Sequence, residues 1–189
     1  MSFDAEHRIP VHLLHIGKTG GTALKDGLAH FAREKPWLRL HNHAARLMDI
    51  PPGHRVIFFL RNPITRFVSG FYSRQRQGRP RYFSPWIPGE AAAFAIFHTA
   101  NELGETLSIA DERRRADAQN AMRAIEHVRD SFWKWLGSPD LLSSRAADIL
   151  FIGQQESLAA DSRVLADGVH AFDLAVGRVD HHRDVRMVT

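Results

Sequence analysis

"VHLLHIGKTGGTAL", residues 11–24, is the stretch whose reading decides the fold. Six strand-like residues, 11–16, run into a turn that holds Gly17, Gly20 and Gly21 with Lys18, Thr19 and Thr22 among them. A turn from strand to helix exposes the free N–H groups of the helix's first turn and the positive end of its dipole. Glycines let the backbone close around an anion there. Lys18 adds a mobile positive charge, and the two threonines add hydroxyl donors. A plain connection between strand and helix would need the glycines only, so the lysine and the hydroxyls point to a bound anion.

The same strand–turn–helix order recurs downstream. Residues 56–60 (VIFFL) and 148–153 (DILFIG) read as short buried strands. After the glycine turn, Leu24, Leu28 and Phe31 fall at helical spacing. After VIFFL, Asn62 suits an N-cap and Pro63 the first helical position. Ile64, Phe67, Val68, Phe71 and Tyr72 then form an apolar stripe. One long helical stretch is predicted to carry Ala118, Met122, Ile125, Phe132 and Leu136 on one side, and another helix to run from near Glu156 to Gly168. Residues 77–90, rich in Pro and Gly, read as a surface loop. The pattern predicts an α/β fold with a mainly parallel central sheet flanked by helices, and a ligand at the carboxyl ends of the strands.

Composition fits one globular domain spanning 1–189. There is no cysteine, which excludes disulfides, thiolate metal sites and a catalytic thiol. The N-terminus lacks the pattern of a signal peptide and no apolar run reaches membrane-spanning length, so the cytoplasm is the default compartment. Net charge is +4, and 21 of the 25 basic residues are arginine. No acidic residue occurs from Ile50 to Gly89, where seven arginines fall: Arg55, Arg61, Arg66, Arg74, Arg76, Arg79 and Arg81. Arginine is the better residue for planar phosphate or sulfate recognition, and an acid-free run after a strand suggests an anionic ligand. Arg66 is expected in a surface ion pair.

A Walker A loop needs G-x-x-x-x-G-K-[ST]. Gly17-Lys18-Thr19 supplies the end, but His12 occupies the first glycine's position. The second strand ends in Arg61 where a magnesium-holding aspartate would be expected, which counts against a kinase or NTPase.

"HIGKTGGTAL" resembles the 5′-phosphosulfate loop of sulfotransferases that use 3′-phosphoadenosine 5′-phosphosulfate (PAPS). "FFLRNPITRFVSGFY" resembles their 3′-phosphate motif, an arginine at a strand end followed eight residues later by a serine, here Arg61 and Ser69. "LHNHAARL" is similar to the His-x-His of the glycosaminoglycan 2-O-sulfotransferase branch, and "ILFIGQQESLAAD" to a later strand-and-helix segment. The resemblance spans roughly residues 11–165. It departs in having Gly17 for the usual proline. The chain also stops at Thr189 where members usually continue with a further helical segment, which implies a shortened lid.

The resemblance implies a P-loop-like three-layer fold with PAPS as co-substrate and no obligatory metal. The loop Gly17, Lys18, Thr19, Gly20, Gly21 and Thr22 would hold the 5′-phosphosulfate, with Lys18 on the oxygen that bridges phosphorus and sulfur. Arg61 and Ser69 would hold the 3′-phosphate. His41 and His43 are candidates for the general base, since imidazole titrates near working pH. Alternate residues of an extended segment face opposite ways, so both face the site only if the segment bends. His12 and His15 read as packing residues, and Phe67, Phe71, Trp133 and Trp135 as core. Phe83 and Trp86 are candidates for an acceptor site. The expected activity is sulfuryl transfer to a hydroxyl, a carbohydrate first, with nucleic acid not the expected partner. The alternatives are an ATP-dependent P-loop phosphotransferase and a non-catalytic module that binds nucleotide or nucleic acid.

Overall fold

The computed structural model describes residues 9–165 together with 167 and 168. Four strands, β1 (Val11–Leu14), β2 (Leu38–Leu40), β3 (Arg55–Leu60) and β4 (Ile149–Gln154), form one sheet in the order β2-β1-β3-β4. Every pairing is parallel, with His12 opposite Arg39 on β2 and Val56 on β3. The chain is therefore α/β with an all-parallel sheet flanked by helices. The strand of residues 38–40 lies outside the sequence reading. Three residues carry too short a pattern to announce a strand, and the ladder of β1 sets it.

Alternation along β1 and β3 divides the core between two faces. Val11, Leu13, Ile57 and Phe59 pack with Leu24 of α1 (Gly21–Glu34) and with Trp37. Leu14, Val56 and Phe58 pack on the other face with Leu47, Trp135 and Leu136. A third cluster joins Phe71 of α2 (Pro63–Gln75), Phe94 of α3 (Pro88–Ile96), Leu103 of α4 (Ala100–Thr106) and Ala118 of α5 (Glu112–Ala124). Two short helices, α6 (Trp133–Leu136) and α7 (Pro139–Ser144), lead back to β4. Among the described residues no helix is long and apolar enough to cross a membrane.

Helix α2 begins as its sequence predicts. The Asn62 side chain accepts from the Ile64 and Thr65 amides at 2.9 and 3.3 Å, and Pro63 occupies the first turn. Its stripe is only partly core: Phe71 is buried, but Ile64 is 73% exposed and Val68 is also exposed. These two line a wide apolar groove of about 940 Å³ with Trp133, which is exposed as well.

The predicted long helix across residues 118–136 is two helices. Helix α5 stops at Ala124, Ile125 is extended, and His127 lies in the left-handed region at φ 61°. The cause is distant in sequence. The Glu126 amide donates to the Glu90 carboxylate at 3.1 Å instead of continuing the helical ladder. Residues 155–157 form a 3₁₀ turn and 158–165 are helical, close to the segment expected from Glu156. The 77–90 segment begins as the loop predicted, and Pro88 starts α3 within it.

Glu90 is the centre of a buried polar joint. Arg74 donates to it twice, from Nε at 2.7 Å and from Nη2 at 2.6 Å. The side chains are 2% and 1% exposed. Burial works to raise the Glu90 pKa, but the bonds from Arg74 and from the Glu126 and Ile87 amides outweigh it and hold the carboxyl below its usual value. One pair thus ties α2, α3 and the end of α5 together. Removing one member leaves the other charged and unpaired, so Arg74→Met is expected to lower the unfolding free energy by about 3–5 kcal/mol, measured by urea denaturation. A loss below about 1 kcal/mol would show the joint to be dispensable.

Candidate functional site

At the carboxyl ends of β1, β3 and β4 the turns converge on one cavity of about 650 Å³. Its floor is the glycine turn. Lys18 and Gly20 take positive φ, 68° and 85°, and the Gly20 carbonyl accepts the first helical bond of α1 from the Leu24 amide at 3.2 Å. The amides of Gly21, Thr22 and Ala23 precede that bond and have no partner within the helix. Gly20, Gly21 and Thr22 all line the cavity.

Two arginines from beyond β3 hold the turn from behind. Arg61 Nη1 donates to the Lys18 carbonyl at 3.4 Å, and Arg66 Nε donates to the Gly17 carbonyl at 2.9 Å. Arg61 is further fixed by its Nε bond to Thr65 Oγ1 at 3.0 Å. Arg66 is not in the surface ion pair expected for it. It is 7% exposed, stacks on Phe132 and Trp135, and gives a second bond to the Asp130 carbonyl at 2.7 Å. Thr19 is buried too, its hydroxyl donating to the Ile16 carbonyl at 2.9 Å, so it shapes the turn from inside. Gly17 lies against Trp135; neither Gly17 nor Thr19 lines the cavity.

Lys18, Arg61 and Ser69 do line it, in one chamber. Ser69, Ser73 and Arg76 follow one face of α2 into the cavity, the face away from Phe67. Among the described residues the Lys18 ammonium has no hydrogen-bond or ion-pair partner. Burial, then Arg61, Arg76 and Arg66, lower its pKa. A cation held against burial and three like charges is a strong attractor for an anion. Of the seven arginines in the acid-free run, Arg61, Arg74, Arg76, Arg79 and Arg81 line the cavity. Arg74 is neutralised by Glu90, and Arg81 pairs with Asp26 at 3.0 Å in an exposed bridge. Arg79 covers the Phe83 ring at 4.8 Å. Glu126 is the acidic residue of the lining.

The expected histidine pair separates. His43 lines the cavity and His41 does not. His41 Nε2 meets His12 Nδ1 at 2.8 Å, and His12 Nε2 meets His54 Nδ1 at 3.0 Å, a three-imidazole row across the sheet. His43 lies on His15, ring centroids 3.8 Å apart, and its carbonyl accepts from Trp135 Nε1 at 2.9 Å. His15 is buried as a packing residue would be, yet it also lines the cavity. A Cβ on Gly21 would fall 2.1 Å from His15 Cδ2, so only glycine leaves room for the ring at the head of α1.

Phe83 and Trp86 are not part of the cavity wall. Trp86 donates to the Arg74 carbonyl at 2.7 Å and packs on Phe94, a bracing role. Tyr82, Gln155 and His127 line the cavity without having been singled out in the sequence. Gln155 follows β4 directly, so a strand-end position was its signal. His127 had none, because its turn is created by Glu90.

Burial lowers the pKa of His12, His15 and His127 to about 4, with neighbouring histidines and cations adding to the effect. The unfolded chain, with histidines near 6.5, binds protons first as pH falls. The urea midpoint is therefore expected to hold steady above about pH 7 and to drop progressively from about 6.5 to about 4. A flat profile across that window would contradict the burial of these rings. Gly21→Ala is expected to cost about 1–3 kcal/mol by pushing against His15, read from the same urea curves.

No protein-family model, curated protein or solved structure matches this chain.

Proposed function

We propose that the chain is a PAPS-dependent sulfotransferase of P-loop-like architecture, acting on a hydroxyl of a carbohydrate. The observation that carries the reading is the common cavity of Lys18, Arg61 and Ser69. The turn after β1 and the segment after β3 face one space, as two grips on one doubly anionic nucleotide require.

The chain's own residues would divide the work. The first-turn amides of α1 and Lys18 receive the phosphosulfate end. Arg61 and Ser69 receive the ribose phosphate, with Arg61 oriented by Thr65. Lys18 stands where charge gathers on the departing oxygen, which is where a cation lowers the barrier. The acceptor's proton goes to an imidazole of the cavity wall, which includes His43 and not His41, joined to His12. The bound nucleotide supplies an activated sulfuryl group for in-line displacement. The P-loop phosphotransferase reading is weakened by Arg61 at the end of β3 and by His12 in the first glycine's place.

Adenosine 3′,5′-bisphosphate at a hundredfold excess over Kd is expected to stabilise the chain by about 2.7 kcal/mol, read as a rise in Tm. Arg61→Ala and Ser69→Ala each weaken that effect. Lys18→Ala still binds the bisphosphate, though less tightly, and slows labelled-sulfate transfer by on the order of 10²–10³. Stabilisation by ATP–Mg²⁺ alone would replace this reading with the phosphotransferase one.

A further inference from the structure

We infer that His127 is a catalytic residue of this transfer, the base that takes the proton from the acceptor hydroxyl. The inference rests on the sulfotransferase reading above. Its first support is placement: His127 lines the same cavity as Lys18, Arg61, Ser69 and His43.

The second is backbone geometry. A non-glycine residue at φ 61° costs on the order of 1–3 kcal/mol and persists where its surroundings impose it. They do so here from three sides. Glu90, clamped by Arg74, holds the preceding amide at Glu126. The amides of Val128 and Arg129 both reach back to the Ile125 carbonyl, at 3.2 and 3.0 Å. Gly70 of α2 lets the turn pass close by, since a Cβ there would stand 3.3 Å from His127 C, O and Cβ. Lys18 and His127 are thus two strained non-glycine residues that line one cavity.

The third is the state of the ring. Among the described residues neither nitrogen of His127 has a hydrogen-bond partner, whereas both nitrogens of His12 are taken. Burial, then Lys18 and His43, keep the ring neutral; Asp130 opposes them and Arg74 adds to them. An anion placed on Lys18 would offset the neighbouring positive charge and raise the ring's affinity for a proton. His43, by contrast, lies against His15 with the rings tilted 35° and is tied through its carbonyl to Trp135, a placement suited to positioning.

The step balances. The acceptor oxygen forms a bond to sulfur, and its proton passes to a His127 ring nitrogen. The bond from sulfur to the bridging oxygen breaks, with its electron pair passing to the 5′-phosphate opposite Lys18. The proton then leaves His127 to solvent.

The test uses His127→Asn, because asparagine tolerates the left-handed backbone. Labelled sulfuryl transfer from PAPS is measured to dextran, to alginate and to water across pH, alongside bisphosphate thermal shifts. The variant is expected to bind adenosine 3′,5′-bisphosphate as the wild type does, to lose kcat by about 100-fold or more, and to lose the acid limb of kcat/KM. His43→Asn slows transfer and keeps that limb. A His127→Asn variant that binds bisphosphate and transfers within about threefold of wild type overturns the inference and leaves the sulfotransferase reading standing. A wild-type chain that bisphosphate does not stabilise overturns that reading, and the inference with it. Independently of any variant, NMR titration of the wild-type His127 ring is expected to show its pKa rising when bisphosphate is added. No rise places the ring away from the ligand and overturns the inference.

Discussion

The structure depends on two guanidinium groups that hold the carbonyls of Gly17 and Lys18. A glycine turn left to itself has many conformations, and its carbonyls compete with its amides for the inner side. Arg61 and Arg66 draw those oxygens outward and in doing so decide what the turn offers a ligand. Both arginines come from the segment that follows β3, so the turn after β1 is shaped by its neighbour strand. Trp135 and Phe132 complete the arrangement by stacking on Arg66, and Trp135 also reaches the His43 carbonyl. A residue in α6 thereby sets the position of a histidine that follows β2.

Cations at the cavity fall into two groups, and the distinction decides what they can do. Arg74 and Arg66 are buried and fully occupied in holding protein groups, apart from one Arg66 nitrogen, Nη2, without a partner. Their charge contributes to the field but not to direct contact. Lys18 is half-buried and unpaired among the described residues, and Arg76 lines the cavity from an exposed position on the end of α2. Contact with a ligand belongs to this second group and to Arg61, which lines the cavity while it holds the Lys18 carbonyl. The first keeps the second where it is.

Much of this was legible in the sequence. Strands β1, β3 and β4 were visible because apolar runs end at Gly, Asn-Pro and polar residues, and the Asn62 cap appears as predicted. The shared cavity followed from two strand-end motifs. His41 and His43 read as a pair of candidates; alternation left room for one to turn away, but which one was not legible, and of the two only His43 lines the cavity. Other features were not legible, each for a nonlocal reason. The end of α5 is set by a carboxylate 36 residues earlier in the chain. Arg66 reads as surface from its own helix, and only the distant Phe132 and Trp135 rings make it buried. Ile64 and Val68 have core spacing, but among the described residues both stay exposed. His15 looks like packing and is, yet the same ring forms part of a wall.

The arginine-lined opening also bears on kinetics. Arg76, Arg79 and Arg81 are exposed at the mouth while Lys18 and Arg61 lie further in. Such a gradient focuses field lines into the chamber, so a small polyanion is drawn in faster than free diffusion would deliver it. That attraction is long-ranged and fades once the Debye length shrinks to about 8 Å at physiological ionic strength. It also makes no distinction among anions, so abundant polyphosphates would crowd the same entrance. Selectivity must therefore arise from the narrow contacts inside, after arrival.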